Sequence, residues 1–349
     1  MPEFNDVHLR SFAETVFKAV GVSRRDAQII TDSLIQANLE GIDSHGISRL
    51  PVYVRRMMEG RISVRPCLRI IQHGSVLNVD GDNGLGQVVS YRSLEAAIPV
   101  AKKLGMAGVF IRRSNHNGTG SFYCQQVMQE NMVLIAMTNT PPGIVPTGGR
   151  EPRLGTNPVA FGFPVNDGPP LIVDLATSMV ARGKVILAAR EKKQIPKGWA
   201  VDENGMDTTD PSAALKGAML PVGGAKGYAL ACAIEMFCGV LSGAAFGKNV
   251  VSIYEEEAGF AGVGHHFILY HVPHFMSLKE YGKRMDAFLQ MLKDTPPSPN
   301  SDGVYYPGER RYQRYLQRKK RGIPLSDEVV KDLNDIAESL SVQGLSQGE

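Results

Sequence analysis

The sequence predicts an α/β protein with a helical N-terminal part, a central body of alternating strands and helices, and a helical, charged C-terminal part that packs back on the first. Two patterns predict this. Apolar residues recur at helical spacing before Arg65-Pro66 and the chain turns helical and charged again from Met276 onward, and between these regions short β-branched runs alternate with helical stretches. The chain has 349 residues, 43% of them hydrophobic, enough for one large domain or two of ordinary size with a real core.

The spacing predicts a first helix from about Val7 to Val20, with Leu9, Phe12, Val16 and Val20 inward. A second runs from about Arg24 to Leu39 with Ala27, Ile30, Leu34 and Ala37 inward, its start marked by Ser23-x-x-Asp26 in the manner of a capping box. A third is expected from about Gly46 to Glu59. Leu68–Ile71 and Ser75–Val79 then read as strands, Val88–Leu104 as a helix, and Gly108–Ile111, Leu134–Thr138, Pro158–Phe163 and Leu171–Asp174 as further strands. Helices follow around Ala181–Lys192 and from about Gly227 to Leu241, the latter apolar nearly all round. The tail from Leu340 to Glu349 is polar and expected to fray. No internal repeat is present.

Composition narrows the function classes. A formal charge of +3 does not argue for a polyanionic partner across the whole surface. Cys67, Cys124, Cys232 and Cys238 form no C-x-x-C pair and read as reduced, mostly buried thiols. There is no long apolar run, and Met1-Pro2-Glu3-Phe4-Asn5-Asp6 lacks the basic start and apolar stretch of a signal peptide, so the cytoplasm is the expected compartment.

Chemistry concentrates in Asp43-Ser44-His45-Gly46-Ile47-Ser48-Arg49. Arg49 can hold a carboxylate in two parallel hydrogen bonds, His45 can exchange a proton near neutral pH, and Ser44 can orient the imidazole. The competing reading is a capped helix start with Ser44 at the cap and His45 and Arg49 solvated. His116, in Ser114-Asn115-His116-Asn117, ends a strand before a glycine-rich helix start whose free amides suit phosphate or nicotinamide; it is otherwise a turn histidine. Neither glycine cluster is a Rossmann fingerprint. Gly81-Asp82-Asn83-Gly84-Leu85-Gly86 reverses the spacing and reads as a turn, and in Gly118-Thr119-Gly120-Ser121-Phe122-Tyr123 a tyrosine stands where the third glycine belongs. Gly183-Lys184 continues into Val185, so it is no Walker A loop. His265, His266, His271 and His274 are not expected to bind metal: a strand would send His265 and His271 to one face and His266 and His274 to the other, with no acid or cysteine close in sequence. The basic run from Glu309 through Arg310, Arg311, Arg314 and Arg318 to Arg321 reads as a solvated helix face, with phosphate or nucleic-acid contact as the remote alternative.

Six blocks occur in fixed order: Asp43-Ser44-His45-Gly46 with Arg49; Ser114-Asn115-His116-x-Gly118; Leu154-Gly155-Thr156-Asn157-Pro158; Asp174-Leu175-Ala176-Thr177-Ser178 with Ala181-Arg182-Gly183-Lys184; Gly224-x-Lys226-Gly227-Tyr228; and Tyr306-Pro307-Gly308-Glu309. With them the chain resembles the type-2 malate/L-lactate dehydrogenase family, whose relatives include sulfolactate and ureidoglycolate dehydrogenases, diketogulonate reductase and cyclic ketimine reductases. The resemblance runs from about Phe12 to Arg321.

This resemblance implies a non-Rossmann NAD(P)-binding domain on a mixed sheet over residues 71–284. It also implies a helical domain assembled from residues 1–70 and 285–349, and a homodimer with the site near the domain and subunit junctions. His116, Gly118, Thr119, Gly120, Thr140, Asp174, Leu175, Ala176, Lys226, Gly308 and Glu309 would line the dinucleotide. Arg49, Thr156 and Arg182 would hold the substrate. The resemblance leaves two acid/base residues open, because Ser44-His45 matches a serine–histidine relay in the ketimine reductases, whereas His116 matches the proton acceptor of ureidoglycolate dehydrogenase. His45 is favoured since Arg49 is expected one helical turn away. No acidic partner of the relay is identified, Lys184 standing where some relatives carry an acid.

The expected activity is hydride transfer between a nicotinamide cofactor and a small 2-hydroxy or 2-oxo acid, with reduction of a cyclic ketimine such as Δ1-piperideine-2-carboxylate as runner-up. NAD is expected, with NADP as the alternative, because Glu309 favours a free ribose hydroxyl, although Arg310 and Arg311 beside it could meet a 2′-phosphate. The expected partners are a small carboxylate and a second copy of the chain, with no metal, nucleic acid or membrane.

Overall fold

Asn5 accepts the Val7 amide with its side chain, and so helix α1 (Asp6–Ala19) starts directly after a short strand β1 (Glu3–Phe4). Ser23 caps α2 (Arg24–Leu39) at the Asp26 amide, and its hydroxyl also donates to the Asp26 carboxylate at 2.9 Å. This computed structural model describes residues 1–255 and 259–346. The predicted inward residues of both helices are buried except Val20, which is partly covered. The predicted third helix is shorter than the sequence suggests: α3 spans Leu50–Met58.

The α/β body then follows. It comprises β2 (Arg69–His73), β3 (Val76–Asp80), α4 (Gly86–Leu104), β4 (Met106–Ser114), α5 (Gly120–Met128) and β5 (Met132–Thr138). Short strands β6 (Pro142–Ile144) and β7 (Leu154–Gly155) precede β8 (Val159–Phe163), β9 (Leu171–Leu175) and α6 (Arg182–Arg190). Next come β10 (Ala200–Val201), β11 (Asp207–Thr208), α7 (Pro211–Lys216), β12 (Ala218–Met219) and α8 (Ala225–Glu235), which a π-helical stretch, Met236–Leu241, prolongs. Strand β13 (Val263–His271), α9 (Leu278–Lys293), α10 (Glu309–Arg321), β14 (Ile323–Pro324) and α11 (Asp327–Ser339) complete the chain.

The architecture is mixed α/β, as predicted. Seven strands form one sheet in the order β2-β3-β4-β13-β5-β8-β9, parallel at β3–β4 and antiparallel at its other pairings. The late strand β13 lies at its centre, so the first two residues of the histidine run, His265 and His266, are core, while His271 is half-buried and His274 exposed. His265 bonds Thr138 Oγ1 at 2.8 Å and Ser114 Oγ at 2.9 Å, and burial holds its pKa down at about 3. The strand ends at His271; His274 lies in the following turn, 2.9 Å from His271 between Nδ1 atoms, and not on an opposite face of the strand.

One core joins α1–α3 to the C-terminal segment: Phe4, Leu9, Leu34 and Tyr53 share it with Ile323, Leu333, Ile336 and Leu345. Strand β1 pairs antiparallel with β14, Phe4 opposite Ile323. A separate core lies between the large sheet and α4 and α5. The expected fraying of the tail does not hold near Leu345, which is buried and whose amide donates to Asn334 Oδ1 at 2.7 Å; residues 347–349 lie outside the described residues. The stretch after Gly227 is helical as expected. Although it is apolar nearly all round, Leu230, Met236, Phe237, Val240 and Leu241 are exposed. Of the cysteines, Cys124 and Cys238 are buried and Cys67 is exposed. No described helix is long and apolar enough to cross a membrane.

Candidate active site

Asn38, in the last turn of α2, decides the shape of the Asp43–Arg49 segment. Its Nδ2 donates to Asp43 Oδ1 at 2.7 Å and its Oδ1 accepts the Ile47 amide at 2.7 Å. A Cβ on Gly46 would lie 2.1 Å from that Oδ1, so only glycine lets the chain pass. The result is two 3₁₀ turns, Asp43–His45 and Ile47–Arg49, rather than the first turn of a longer helix. Ser44 is therefore not a helix cap, and His45 and Arg49 are not related by an α-helical turn.

Ser44 instead contacts the imidazole, its Oγ 3.0 Å from His45 Nδ1. His45 stacks on His116 with ring centroids 5.3 Å apart, so the two histidines that the sequence left as rivals form one site. His116 is held from behind. The Gly118 amide donates to its Nδ1 at 3.4 Å, and the buried Tyr53 hydroxyl lies 2.5 Å from the same atom while accepting from Gln87 Nε2 at 3.2 Å. With an N–H aimed at Nδ1, that nitrogen is the acceptor, Tyr53 donates to it, and the proton of the neutral ring sits on Nε2. Burial lowers the pKa of both rings. His45 falls to about 4, with Arg49 as the second cause, and His116 falls well below the usual value. Burial likewise pushes Tyr53 up to about 12, so it stays a phenol that can donate.

Arg49 Nε donates to the Ser44 carbonyl at 2.5 Å, and its guanidinium carbon lies 5.1 Å from the centre of the Tyr254 ring. Thr156 Oγ1 is 3.4 Å from Thr140 Oγ1, which joins a predicted substrate residue to a predicted cofactor residue. Arg182 is exposed at the start of α6 and donates to the Leu215 carbonyl; no hydrogen bond among the described residues links it to the histidine pair.

The predicted dinucleotide residues can be tested by the space around them. Gly118 has φ +74° and a Cβ there would lie 2.8 Å from Ser33 Oγ, while at Gly120 it would lie 2.4 Å from the Ala160 Cβ. Both keep the approach to α5 narrow. Thr119 precedes that helix without capping it by its side chain, and the Ser121 amide is taken by Asp174 Oδ2 at 3.1 Å. Asp174, Leu175 and Ala176 lie at the end of the edge strand β9, with Leu175 exposed although apolar. Lys226 is exposed at the N-terminus of α8, after Gly223 and Gly224, around which a Cβ would meet nothing within 4 Å. An open helix start with a lysine suits phosphate, and a strand edge with a free apolar side chain suits a flat ring. Gly308, with φ +102°, packs against the Pro170 carbonyl, where a Cβ would lie 2.3 Å away. Glu309 turns inward, accepting Lys293 Nζ at 2.8 Å and the Tyr306 amide at 3.3 Å.

The basic run of α10 is not simply a solvated face. Arg311 bonds Glu40 and Asp174, Arg318 bonds Asp43, and Lys319 bonds Asp6. Sequence reasoning missed Tyr53 and Gln87, which sit at core-facing positions on α3 and α4; the available signal was Tyr53 one helical turn beyond Arg49.

The chain matches the family described as malate/L-lactate dehydrogenase over residues 4–334. It is 38% identical to the malate dehydrogenase of Pyrococcus horikoshii over 346 residues, 97% of this chain and 95% of that one, and the solved structure of that enzyme superposes with a TM-score of 0.90. The L-sulfolactate dehydrogenase of Methanocaldococcus jannaschii is 38% identical over 94% of each chain, and its structure gives a TM-score of 0.92. The Δ1-piperideine-2-carboxylate reductase of Pseudomonas syringae pvar. tomato is 28% identical with a TM-score of 0.87, over 97% of this chain and 100% of that one. Names of further relatives carry both NAD(+) and NADP(+).

Proposed function

Because the chain belongs to the malate/L-lactate dehydrogenase family, a family of NAD(P)-dependent oxidoreductases, we propose that His45 is the acid/base and His116 the hydrogen-bond donor in hydride transfer between nicotinamide and a small 2-hydroxy or 2-oxo acid. The two contacts at His116 Nδ1 are the observation that carries this division. With Tyr53 and the Gly118 amide on Nδ1, His116 keeps Nε2–H and can donate to the substrate oxygen but cannot take its proton. His45 has Ser44 on Nδ1, which leaves Nε2 to accept the hydroxyl proton during oxidation and to return it during reduction.

Arg49 would hold the substrate carboxylate beside this pair, with Thr156 and Arg182 completing the clamp. When bound, the nicotinamide supplies or takes the hydride at C4. The residues that would hold the dinucleotide are His116, Gly118, Thr119, Gly120, Thr140, Asp174, Leu175, Ala176, Lys226 and Gly308, at strand ends and helix starts of the mixed α/β body, in an arrangement we take to be non-Rossmann. Glu309 would act by bracing Gly308 through Lys293 and Tyr306. NAD is the proposed cofactor, since Arg311 is held by the buried Glu40 and by Asp174 and is not free for a 2′-phosphate, whereas Arg310 makes only an exposed pair with Asp302.

The two cores support a helical unit of residues 1–70 with 285–349 and a dinucleotide-binding unit of 71–284, with Leu85 and Val88 reaching into the first core and Ile29 into the second. The exposed apolar side chains of α8 and its π-helical extension, with Phe288 and Met291 of α9, support a homodimer; the proposed compartment is the cytoplasm. A second reaction, reduction of a cyclic ketimine, draws support from the Ser44–His45 contact. Initial rates with malate, lactate, sulfolactate, ureidoglycolate and Δ1-piperideine-2-carboxylate, each with both cofactors, decide between the readings. Turnover of the imine alone would replace the 2-hydroxy acid reading.

A further inference from the structure

Three arginines on one face of α10 meet, in order, the residues that lead into Ser44-His45. Positions 311, 314 and 318 follow helical spacing. Arg311 Nη1 lies 3.3 Å from Glu40 Oε2 and 3.1 Å from Asp174 Oδ2. Glu40 is buried and also accepts Ser121 Oγ at 2.9 Å, Gln125 Nε2 at 2.6 Å and Gln36 Nε2 at 2.9 Å. The side chain of Arg314 lies along Gly41, where a Cβ would fall 2.1 Å from its Cδ. Arg318 grips Asp43 with both nitrogens, at 2.6 and 3.0 Å, and also bonds the Asn38 carbonyl.

We propose that Arg311, Arg314 and Arg318 form a splint that positions His45, and that Arg311 extends it to Asp174 so that the proton-transfer and dinucleotide residues share one frame. A 3₁₀ turn of three residues has few backbone bonds of its own, so its placement depends on what holds its flanks. Exposed ion pairs hold little, but the side-chain exposures are 18% for Arg311 and 2% for Glu40, so losing Arg311 leaves a buried charge without compensation. The Arg318 pair is more open on its acidic side, Arg318 being 16% and Asp43 49% exposed, and holds its turn by the two-nitrogen grip together with the bond to the Asn38 carbonyl. Arg311, Arg314 and Arg318 are positioning residues, acting through Glu40, Gly41 and Asp43. The proposal rests on the reading of His45 as the acid/base.

Kinetics of the full chain test it. Arg318→Ala should lower kcat about ten- to a hundredfold with the NADH dissociation constant, read from its fluorescence, unchanged within about twofold. Arg311→Ala should change both, because it also touches Asp174. Arg318→Lys should restore only part of the rate, since lysine cannot make the bidentate contact, and Asp43→Asn should repeat the Arg318→Ala defect from the other side. Lys320→Ala, on an exposed residue, serves as control. In a His45→Ala background, Arg318→Ala should cost nothing further. A folded Arg318→Ala enzyme with wild-type kcat, or one whose loss is undiminished in the His45→Ala background, overturns the splint alone. Wild-type turnover by His45→Ala overturns both the His45 reading and the proposal that rests on it.

Discussion

Lowering the pH distinguishes the His45 of this site from an ordinary histidine. Burial first, and the charge of Arg49 second, hold its pKa at about 4 against the usual 6.5. Oxidation needs the neutral imidazole. At pH 5 about nine-tenths of the free enzyme carries it if the pKa is about 4, but only about one-thirtieth if it is 6.5. Therefore kcat/KM for oxidation should stay flat from pH 8 to pH 5 and fall only near pH 4. Reduction needs the imidazolium, so its kcat/KM should rise about tenfold per pH unit over the same interval without a plateau. The sign follows from the depressed pKa: the neutral form persists down to about 4, and the proton is taken up only below that. Arg49→Gln removes the second cause, so the break should move upward while KM for the carboxylate rises. The assay is the initial rate of NADH formation and consumption at constant ionic strength from pH 4.5 to 8. A break near 6.5 in both directions, with a thirtyfold loss of oxidation by pH 5, would refute the assignment of His45, with its depressed pKa, as the acid/base.

Tyr53→Phe removes the donor to His116 Nδ1 and leaves Gln87 Nε2 without its acceptor, so kcat should fall by about tenfold or more, equivalent to a hydrogen bond of about 1–3 kcal/mol, with unchanged NADH affinity as the control. Gly118→Ala places a side chain at φ +74° against Ser33 Oγ; it should cost about 1–3 kcal/mol by denaturant unfolding and raise KM for NADH. Gly46→Ala drives a Cβ into Asn38 and should reduce kcat more than it lowers the unfolding midpoint, because the displaced segment carries His45. For the unmodified enzyme kcat/KM should favour NADH over NADPH; the reverse order would mean that Arg310 or Arg311 leaves its acidic partner for a 2′-phosphate.

Local physics made much of this legible. The inward stripes of α1 and α2, the Ser23 cap and the alternation of strands and helices follow from periodicity and short-range hydrogen bonding, which the sequence displays directly. The Asp43–Arg49 segment did not, since a capped helix start satisfies the same residues and only the reach of Asn38 across nine residues excludes it. Ser44, His45 and Arg49 were identifiable by type, whereas Tyr53 looked like any core aromatic on a helix. The arginines of α10 looked solvated because their partners Glu40, Asp43 and Asp174 are far away in the chain. Strand β13 shows the same limit: its His265 and His266 are buried because a late segment is inserted between β4 and β5, a matter of topology rather than of pattern.

The pairing of Phe4 with Ile323 ties the earliest part of the chain to one of the latest. On a ribosome working at about 5–20 residues per second, some 15–60 s separate the appearance of these partners. Until that interval ends α1 to α3 lack the cover of Ile323, Leu333 and Ile336, whereas the large sheet needs only β13, complete at His271, to join β4 to β5. Translation order thus makes the sheet-bearing body the first unit able to close and the helical unit the last. A nascent chain stalled before β14 would present Leu9, Phe12 and Leu34 with part of their cover missing, a surface suited to capture by a holding chaperone.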